Sequence, residues 1–483
     1  MNELIRMTAR QAVAALASRQ VSPAELIDAA AERIAAVEPM VNALPTLCLD
    51  RARAAAEKLV PPDPAPPGYL HGLPVAIKDL VEVQGVRTTW GSRAFEKHVS
   101  QRSDYSVERL ERNGGIVIAK ANTPEFGAGA QTFNEVFGTT TNPWNTALTP
   151  AGSSGGSAVA VATGEVWLAD GSDLGGSLRI PASFTGIVGL RPSPGRVAWG
   201  PRTLPFDTLS VLGPMGRNVG DCALMLDAQV GADHRDPLSL PRPETSFVEA
   251  VDRALTAGRL PSRFAGGCRI GWTPDLGLSP VDAEVVEICA AAVKRLEKLG
   301  AKVSDETPDF TGAEESFQVL RAANFAASVW PRIEGKQDLV KPEVIWNAEK
   351  GLKLGGPEIA EARRVQGAIT NRLIGYFERH DFLLLPTAVS PPFDHRIRYL
   401  EELGGRKFDT YISWLVLTFA ITLTGTPAIS IPAGFTRSGL PVGLQVVARP
   451  RGEAELLAFC ALLESDLGLA ARVPVDPVAG SAS

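Results

Sequence analysis

The sequence has few of the residues that several common kinds of functional site require. Its 483 residues include five cysteines and five histidines, and no two cysteines form a C-x-x-C pair. An odd number of widely spaced cysteines argues against a disulfide framework or a zinc site and favours reduced thiols. We therefore expect neither a metal nor a cofactor.

Long apolar runs and excess positive charge are also missing. The most apolar tract, Trp414 to Leu423, is well short of the roughly 20 residues that span a bilayer. Charges such as Arg6 and Arg10 interrupt the N-terminus, so no secretory signal is expected there. The net charge of −6 argues against a nucleic-acid or anionic-membrane partner. These features predict a cytoplasmic protein. The partner that we expect is a small-molecule substrate, with the protein itself a monomer or a homodimer.

The first part of the chain, residues 1–65, predicts a helical segment. It is rich in alanine, and Ser22 and Glu25 form a capping-box pattern with Pro23 at the first helical position. The proline-rich stretch Pro61–Pro67 predicts a surface linker that ends this segment.

From Leu73 onward, short apolar runs alternate with glycine-rich turns and amphipathic stretches. Val75–Ile77 and Ile116–Ala119 predict strands, and Tyr105–Arg112 between them predicts a helix. This alternation is typical of an α/β fold. We therefore assign residues 66–483 to one α/β domain.

The rest of the chain continues the same pattern. Residues 235–265 predict an irregular connection, residues 310–380 predict mainly helix, and the tail Val473–Ser483 has the composition of a frayed end. The other predicted strands are Cys268–Trp272, Ala301–Val303, Phe382–Leu385, Ala428–Ile431 and Val442–Val447, and the other predicted helices are 282–300 and Glu453–Leu467.

Three polar or glycine-rich segments are candidates for chemistry. In the first, Gly72–Asp79, Lys78 directly follows an apolar strand. An exposed lysine at a strand end would be unremarkable in function, but burial there would lower its pKa and make it a base near neutral pH. The strand alone does not decide between these readings.

The second segment, Gly152–Ser157, contains a G-x-S-x-G pattern centred on Ser154. This pattern is typical of the nucleophile elbow of α/β-hydrolases, which also needs an acid and a histidine downstream. None of the histidines lies in a site-like context. A Gly/Ser turn that leads into a helix is the simpler interpretation.

The third segment, residues 171–181, has two glycines directly before Ser177. They allow a tight turn in which consecutive N–H groups from Leu174 to Ser177 point together and can hold an oxyanion. Asp173 and Arg179 flank the serine and could fix the loop through a bidentate ion pair. A structural turn with a surface ion pair remains the alternative.

Together the three segments resemble the amidase signature family. The match is nearly continuous over the Gly/Ser-rich block Gly152–Arg191. It extends to Gly72–Asp79, Asn142-Pro143-Trp144, Leu385-Pro386-Thr387 and Gly425–Gln445. The resemblance implies a central twisted mixed β-sheet flanked by α-helices on both faces. It also implies a signature core at about 70–230 and a variable, substrate-side region at about 235–420.

The resemblance further implies a Ser-cisSer-Lys triad. Ser177 would be the nucleophile, Lys78 the base, and Ser153, on a cis peptide bond, the relay between them. The oxyanion hole would be the N–H groups of Leu174, Gly175, Gly176 and Ser177, with Ser154, Asp173 and Arg179 in support. No S-x-x-K motif offers another Ser/Lys pairing, and a serine without an adjacent base is a weak nucleophile.

This set of residues predicts an amidase that hydrolyses a carboxamide through an acyl-enzyme on Ser177. Cleavage of a carbamate or an ester could use the same apparatus. The glutaminase subunit of an amidotransferase is another possibility, although the aromatic middle region favours an apolar pocket. The aromatic residues that favour such a pocket are Phe310, Phe317, Phe325, Trp330 and Trp346. A binding protein on an inactive scaffold is the alternative from another class, and the intact triad argues against it.

Overall fold

The structure is a computed structural model that describes residues 1–480. The helices are α1 Glu3–Arg6, α2 Ala9–Ala17, α3 Pro23–Val41, α4 Leu49–Lys58, α5 Tyr105–Arg112, α6 Gly155–Thr163, α7 Arg179–Thr185, α8 Val219–Gln229, α9 Phe247–Ala257, α10 Ala283–Lys298, α11 Ala313–Ser328, α12 Trp330–Ile333, α13 Pro342–Leu352, α14 Gly356–Phe377, α15 Val416–Leu423 and α16 Glu453–Leu467. The strands are β1 Thr46–Leu47, β2 Pro74–Lys78, β3 Ile116–Ala121, β4 Phe133–Asn134, β5 Gly138–Thr139, β6 Leu168–Asp173, β7 Val188–Arg191, β8 Val211–Gly216, β9 Arg269–Trp272, β10 Lys302–Asp305, β11 Phe382–Pro386, β12 Glu402–Leu403, β13 Arg406–Lys407, β14 Ala428–Phe435 and β15 Pro441–Ala448.

Within the described residues, eleven strands form one mixed sheet in the order β1-β3-β2-β6-β8-β7-β14-β15-β11-β9-β10. Strands β3, β2 and β6 run parallel to one another, and so do β11, β9 and β10. The strands between these two groups are antiparallel. The α/β prediction with a mixed central sheet is therefore confirmed.

Both faces of the sheet are covered, as the side chains of strand β11 show. It is buried along its whole length, and successive side chains of a strand point to opposite faces. Phe382 and Leu384 pack into the core that also contains α10 and α16, whereas Leu383 and Leu385 pack into a second core with α11 and α14. A continuous apolar run is typical of a strand buried on both sides.

The N-terminal helices begin where the sequence predicts. Ser22 accepts a hydrogen bond from the Glu25 N–H, and the Glu25 carboxylate accepts one from the Ser22 N–H, so both halves of the capping box form. Strand β1 then pairs with β3 at one edge of the main sheet. The division into an N-terminal segment 1–65 and a main domain 66–483 stays a prediction.

Two predictions about irregular structure were wrong. Residues 235–265 contain α9, which begins at a Ser246 cap and packs against α8 and α16. The tail is anchored as far as Gly480, whose N–H donates to Thr146 Oγ1 at 3.0 Å. Before it, Asp476 pairs with Arg33 at 2.6 Å and the Val475 N–H donates to the Ala162 carbonyl at 2.9 Å. Residues 481–483 of the predicted frayed end lie outside the described residues.

Among residues 1–480, no helix combines the length and the apolar character needed to cross a bilayer.

Candidate active site

The candidate residues meet at the carboxyl ends of two neighbouring strands. Lys78 is the last residue of β2, and Asp173 is the last residue of β6, which runs parallel to β2. Carboxyl ends of parallel strands lie at the same edge of a sheet, where ligands commonly bind. Ser153 and Ser154 directly precede helix α6, which packs against both strands. The Gly152–Ser153 peptide bond is cis, as the family resemblance implies.

Lys78 is completely buried and surrounded by hydroxyl groups. Its Nζ lies 2.7 Å from Ser153 Oγ, 2.8 Å from Ser154 Oγ and 3.0 Å from Ser172 Oγ. No carboxylate of the described chain forms an ion pair with this amine. A hydroxyl can donate or accept a hydrogen bond, so these partners can accommodate either protonation state of the lysine.

Burial has a large effect on the pKa of this lysine. Removal from water disfavours the charged form and lowers the pKa of Lys78 to about 7, although the charges of Asp170 and Asp173 oppose this shift. Asp170 also accepts a hydrogen bond from the Lys78 backbone N–H at 2.6 Å. A substantial fraction of Lys78 is therefore neutral near pH 7 and able to accept a proton.

The three serines differ in what their hydroxyl groups can do. Ser154 Oγ donates to the Ser172 carbonyl at 3.2 Å and is fully buried, whereas Ser153 and Ser177 line a cavity. No hydrogen bond joins the hydroxyls of Ser153 and Ser177 in the described chain. Ser177 is partly exposed, which a nucleophile requires. These contacts favour Ser177 over Ser154 as the group that meets a substrate.

The loop before Ser177 is held by Asp173, which is completely buried. Arg179 donates to both carboxylate oxygens of Asp173, at 2.8 and 3.0 Å, so the ion pair is bidentate and buried rather than on the surface. Burial alone would raise the pKa of Asp173, but the charges of Arg179 and Arg191 outweigh it and hold the pKa far below the usual range. Asp173 therefore stays ionised and fixes the loop.

The same carboxylate changes the expected oxyanion hole. The Gly176 N–H donates to Asp173 Oδ1 at 2.9 Å, so it is already engaged and points away from a substrate. Among residues 1–480, the N–H groups of Leu174, Gly175 and Ser177 have no acceptor. We therefore correct the four-residue expectation to these three donors.

Gly176 has a different function in the loop. Its φ is +119°, and a Cβ placed there would lie 2.2 Å from Thr418 Oγ1. Thr418 donates to the Gly175 carbonyl at 2.6 Å, which turns that peptide and aims the neighbouring N–H groups. Only glycine fits this close approach at a positive φ.

Loss of Arg179 should strongly destabilise the protein. Arg179→Met leaves the Asp173 carboxylate buried without its main partner, and breaking a buried ion pair in this way costs about 3–5 kcal/mol. Urea unfolding should therefore show a lower free energy of unfolding. Arg396→Met, which removes an exposed pair with Asp394, should change the stability little. Equal effects of the two changes would contradict a structural function for the buried pair.

The cavity in front of Ser177 is small and mainly apolar. It has a volume of about 90 Å³. A wider and more open cavity of about 420 Å³, called the outer cavity below, adjoins it. The two share Leu80, Phe126, Ser172, Leu174, Ser210 and Phe325. The inner cavity is lined by Leu80, Phe126, Gly127, Ala130, Ser153, Ser172, Leu174, Gly175, Ser177, Ser210, Phe317, Arg321, Phe325, Tyr411, Ile412 and Leu415.

Only part of this lining was predicted from the sequence. Of the aromatic residues in the middle region, Phe317 and Phe325 line the cavity, whereas Phe310, Trp330 and Trp346 pack in the second core. Arg321 and Tyr411 were missed altogether. The only sequence signal for Arg321 was its position one helical turn after Phe317, which places both residues on the same face of α11. Tyr411 had no such signal.

Comparisons with known proteins agree with this geometry. The Amidase family model matches residues 25–457. An acylamidase of Rhodococcus erythropolis is 35% identical and covers 97% of both chains. A glutamyl-tRNA(Gln) amidotransferase subunit from Dehalococcoides mccartyi is 33% identical over 95% of this chain and 96% of its own. The solved structure of a bacterial aryl acylamidase, 26% identical, superposes with a TM-score of 0.87 over 98% of this chain and 100% of its own. The chain therefore belongs to the amidase family.

Proposed function

We propose that this amidase hydrolyses the C–N bond of a small carboxamide through an acyl-enzyme on Ser177. The observation that carries the mechanism is the buried, hydroxyl-bound Lys78, whose lowered pKa of about 7 supplies a base. None of the residues that line the cavity in front of Ser177 is a histidine, an aspartate or a glutamate. The hydroxyl of Ser153 connects that base to the cavity that Ser177 lines.

The proton path follows from the number of donors on neutral Lys78. A neutral amine has two N–H groups and one lone pair. We assign the N–H groups to Ser154 and Ser172 and the lone pair to the Ser153 hydroxyl. As Ser177 attacks the carbonyl carbon, its proton passes to Ser153, and the Ser153 proton passes to Lys78. The relay completes when the hydroxyls of Ser153 and Ser177 come within hydrogen-bond distance, which is often reached only with substrate bound.

The remaining steps use the same residues. The carbonyl oxygen becomes an oxyanion held by the N–H groups of Leu174, Gly175 and Ser177, and the proton on Lys78 returns through Ser153 to the leaving nitrogen. The C–N bond breaks and the amine departs. Water then attacks the Ser177 ester and gives a proton to Lys78 through Ser153. That proton returns through Ser153 to the Ser177 oxygen as the acid leaves, which restores the free enzyme.

Removing the relay hydroxyl should slow hydrolysis greatly. We expect Ser153→Ala to lower kcat by about 10³-fold, because the proton path between Ser177 and Lys78 is interrupted. Stopped-flow or endpoint assays of amide hydrolysis measure this directly. The control is Ser157→Ala, a buried serine in the same segment whose hydroxyl lies outside the cavity. A Ser153→Ala enzyme that keeps the wild-type kcat would refute the relay.

The relatives and the cavity lining favour one class of substrate. The acylamidase and aryl acylamidase relatives and the phenylalanine-lined cavity support amides with a modest acyl group. The amidotransferase relative keeps glutamine as an alternative, and the same apparatus could cleave carbamates or esters.

A hydrolysis panel of aliphatic amides, anilides, carbamates, esters and glutamine separates these possibilities. We expect the highest kcat/KM among the amides or anilides. A clear preference for glutamine would favour the amidotransferase reading, and a preference for carbamates or esters would favour those hydrolases. No turnover of any compound, together with no labelling of Ser177 by a fluorophosphonate, would favour an inactive scaffold.

A further inference from the structure

The inner cavity contains one charged side chain, and the triad does not use it. Arg321 extends from α11 into the cavity wall and is 5% exposed. Its guanidinium lies over the rings of Phe325, at 4.6 Å, and Tyr411, at 5.2 Å. These contacts fix the guanidinium in an apolar environment close to the reacting serine.

The hydrogen-bond partners of Arg321 are neutral. Its two terminal nitrogens donate to the side-chain carbonyl of Asn347 and to the hydroxyl of Tyr411. No carboxylate pairs with Arg321 within the described part of the chain. A guanidinium has five N–H donors, so three have no acceptor among residues 1–480. Burial lowers the pKa of Arg321, but an arginine stays charged at neutral pH.

Tyr411 adds another donor at the same place. Its oxygen accepts from Arg321 and, at 2.7 Å, from Asn347 Nδ2. Two accepted bonds occupy the oxygen lone pairs and leave the O–H proton, which has no acceptor among the described residues. Arg321 and Tyr411 therefore present unused donors side by side in the wall of one cavity.

Such an arrangement is costly in the absence of an anion. A buried charge without a counter-ion is destabilising, and a carboxylate matches a guanidinium through paired, charge-assisted hydrogen bonds. An anionic group on a ligand would satisfy Arg321 and Tyr411 together. A purely hydrocarbon acyl group would leave both unsatisfied.

The position of the pair indicates which part of the substrate carries the anion. The amine must leave before water attacks the ester, so it needs the wider exit. The outer cavity of about 420 Å³ provides that exit, whereas the inner cavity holds about 90 Å³. The acyl portion therefore occupies the inner cavity, beside Arg321.

Building on the proposed acyl-transfer function, we infer that the preferred acyl group is a short chain ending in a carboxylate, bound by Arg321 and Tyr411. The substrate class is then the monoamide of a short dicarboxylic acid. Phe317 and Phe325 contact the methylene chain, and the oxyanion donors hold the amide carbonyl. Arg321 is a specificity-determining residue in this account, because it contacts the substrate but takes no proton.

The same cavity discriminates against an α-ammonium group. Glutamine carries both a carboxylate and an ammonium on its acyl portion, and the ammonium needs an acidic partner. None of the residues that line the inner cavity is an aspartate or a glutamate. We therefore expect glutaramic acid, which lacks the amine, to be hydrolysed faster than glutamine.

A pair of isosteric substrates tests the inference on the wild-type enzyme. Glutaryl-4-nitroanilide and 5-methylhexanoyl-4-nitroanilide have the same acyl shape, with a carboxylate in one and an isopropyl group in the other. We expect kcat/KM to be about 10- to 100-fold higher for the glutaryl compound, from hydrogen bonds to a charged group. The succinyl and 4-methylpentanoyl pair tests a shorter chain.

Equal or inverted preference in both pairs would overturn the inference, as would faster hydrolysis of glutamine than of glutaramic acid. Those outcomes leave the proposed function intact, since the neutral anilides are still turned over. If no amide were hydrolysed and Ser177 were not labelled by a fluorophosphonate, the proposed function itself would fail.

Variants locate the preference in the structure. Arg321→Met should remove the preference for the glutaryl compound, so that the ratio of kcat/KM for the two anilides falls to about one or below. Tyr411→Phe removes one hydroxyl and should reduce the preference by a smaller factor. If Arg321→Met does not fold, inhibition of the wild-type enzyme decides the matter, because glutarate should compete more strongly than 5-methylhexanoate. Weaker competition by glutarate would contradict the assignment.

Discussion

Ser177→Ala should abolish amide hydrolysis, lowering kcat by about 10⁴-fold or more. The reason is that, among residues 1–480, no other hydroxyl combines cavity exposure with a position beside the free N–H donors of the loop. Ser154 is buried and its proton is directed to the Ser172 carbonyl. Initial-rate assays with the best substrate of the hydrolysis panel measure the loss.

The matched control for this change is Ser210→Ala. Ser210 lines the same cavity, so its loss changes the local volume and polarity in a similar way without removing the nucleophile. We expect activity within a few-fold of the wild type. Near-wild-type turnover by Ser177→Ala would refute the nucleophile, and a larger loss in Ser154→Ala than in Ser177→Ala would support the elbow interpretation.

Lys78→Met should be nearly as damaging at neutral pH, with kcat lower by about 10³-fold or more, because both proton transfers depend on this base. Methionine has a similar length and suits a buried position. The control is Lys341→Met. Lys341 is another buried lysine, with its pKa lowered by burial to about 8, and it donates to the Ala128 carbonyl at 2.6 Å. We expect that variant to keep most of its activity.

The pH profile provides a second readout of the same base. Lys78 must be neutral to accept a proton, and its pKa is lowered to about 7. Wild-type kcat/KM should therefore rise as pH increases through about 7 and stay high above that range. Residual activity of Lys78→Met should lack this rise. An optimum near pH 5 in the wild type would contradict the assignment of Lys78.

Much of the framework could be predicted from local sequence. The apolar strand Phe382–Leu385, the helix Glu453–Leu467 and the Ser22 capping box all have strong local signals, and the structure has each of them. Helix α8 was not predicted, because it is buried on all sides and lacks the polar face that marks an amphipathic helix. The prediction of a frayed C-terminal tail was wrong because the contacts of the tail, such as Arg33 with Asp476, are made to distant parts of the chain.

The candidate site also has some features that the sequence predicts and others that only the structure shows. Lys78, Ser153 and Ser177 were identified because the glycine-rich segments around them resemble a family. Their environment could not be predicted from the sequence. The burial of Lys78 and the hydrogen bond from the Gly176 N–H to Asp173 both depend on the folded geometry. Arg321 and Tyr411 lie 90 residues apart, and nothing local in either segment indicates that they meet beside Ser177.

The most direct test of the account is the labelling of the protein by a fluorophosphonate, which phosphonylates an activated serine. The test asks which serine is modified and whether the rate depends on Lys78. Intact-mass measurement and peptide mapping of the labelled wild-type protein should show one adduct on Ser177. The rate of labelling should fall steeply in Lys78→Met and remain near wild type in Lys341→Met. An adduct on Ser154, no adduct in the folded wild-type protein, or an unchanged rate in Lys78→Met would contradict the account.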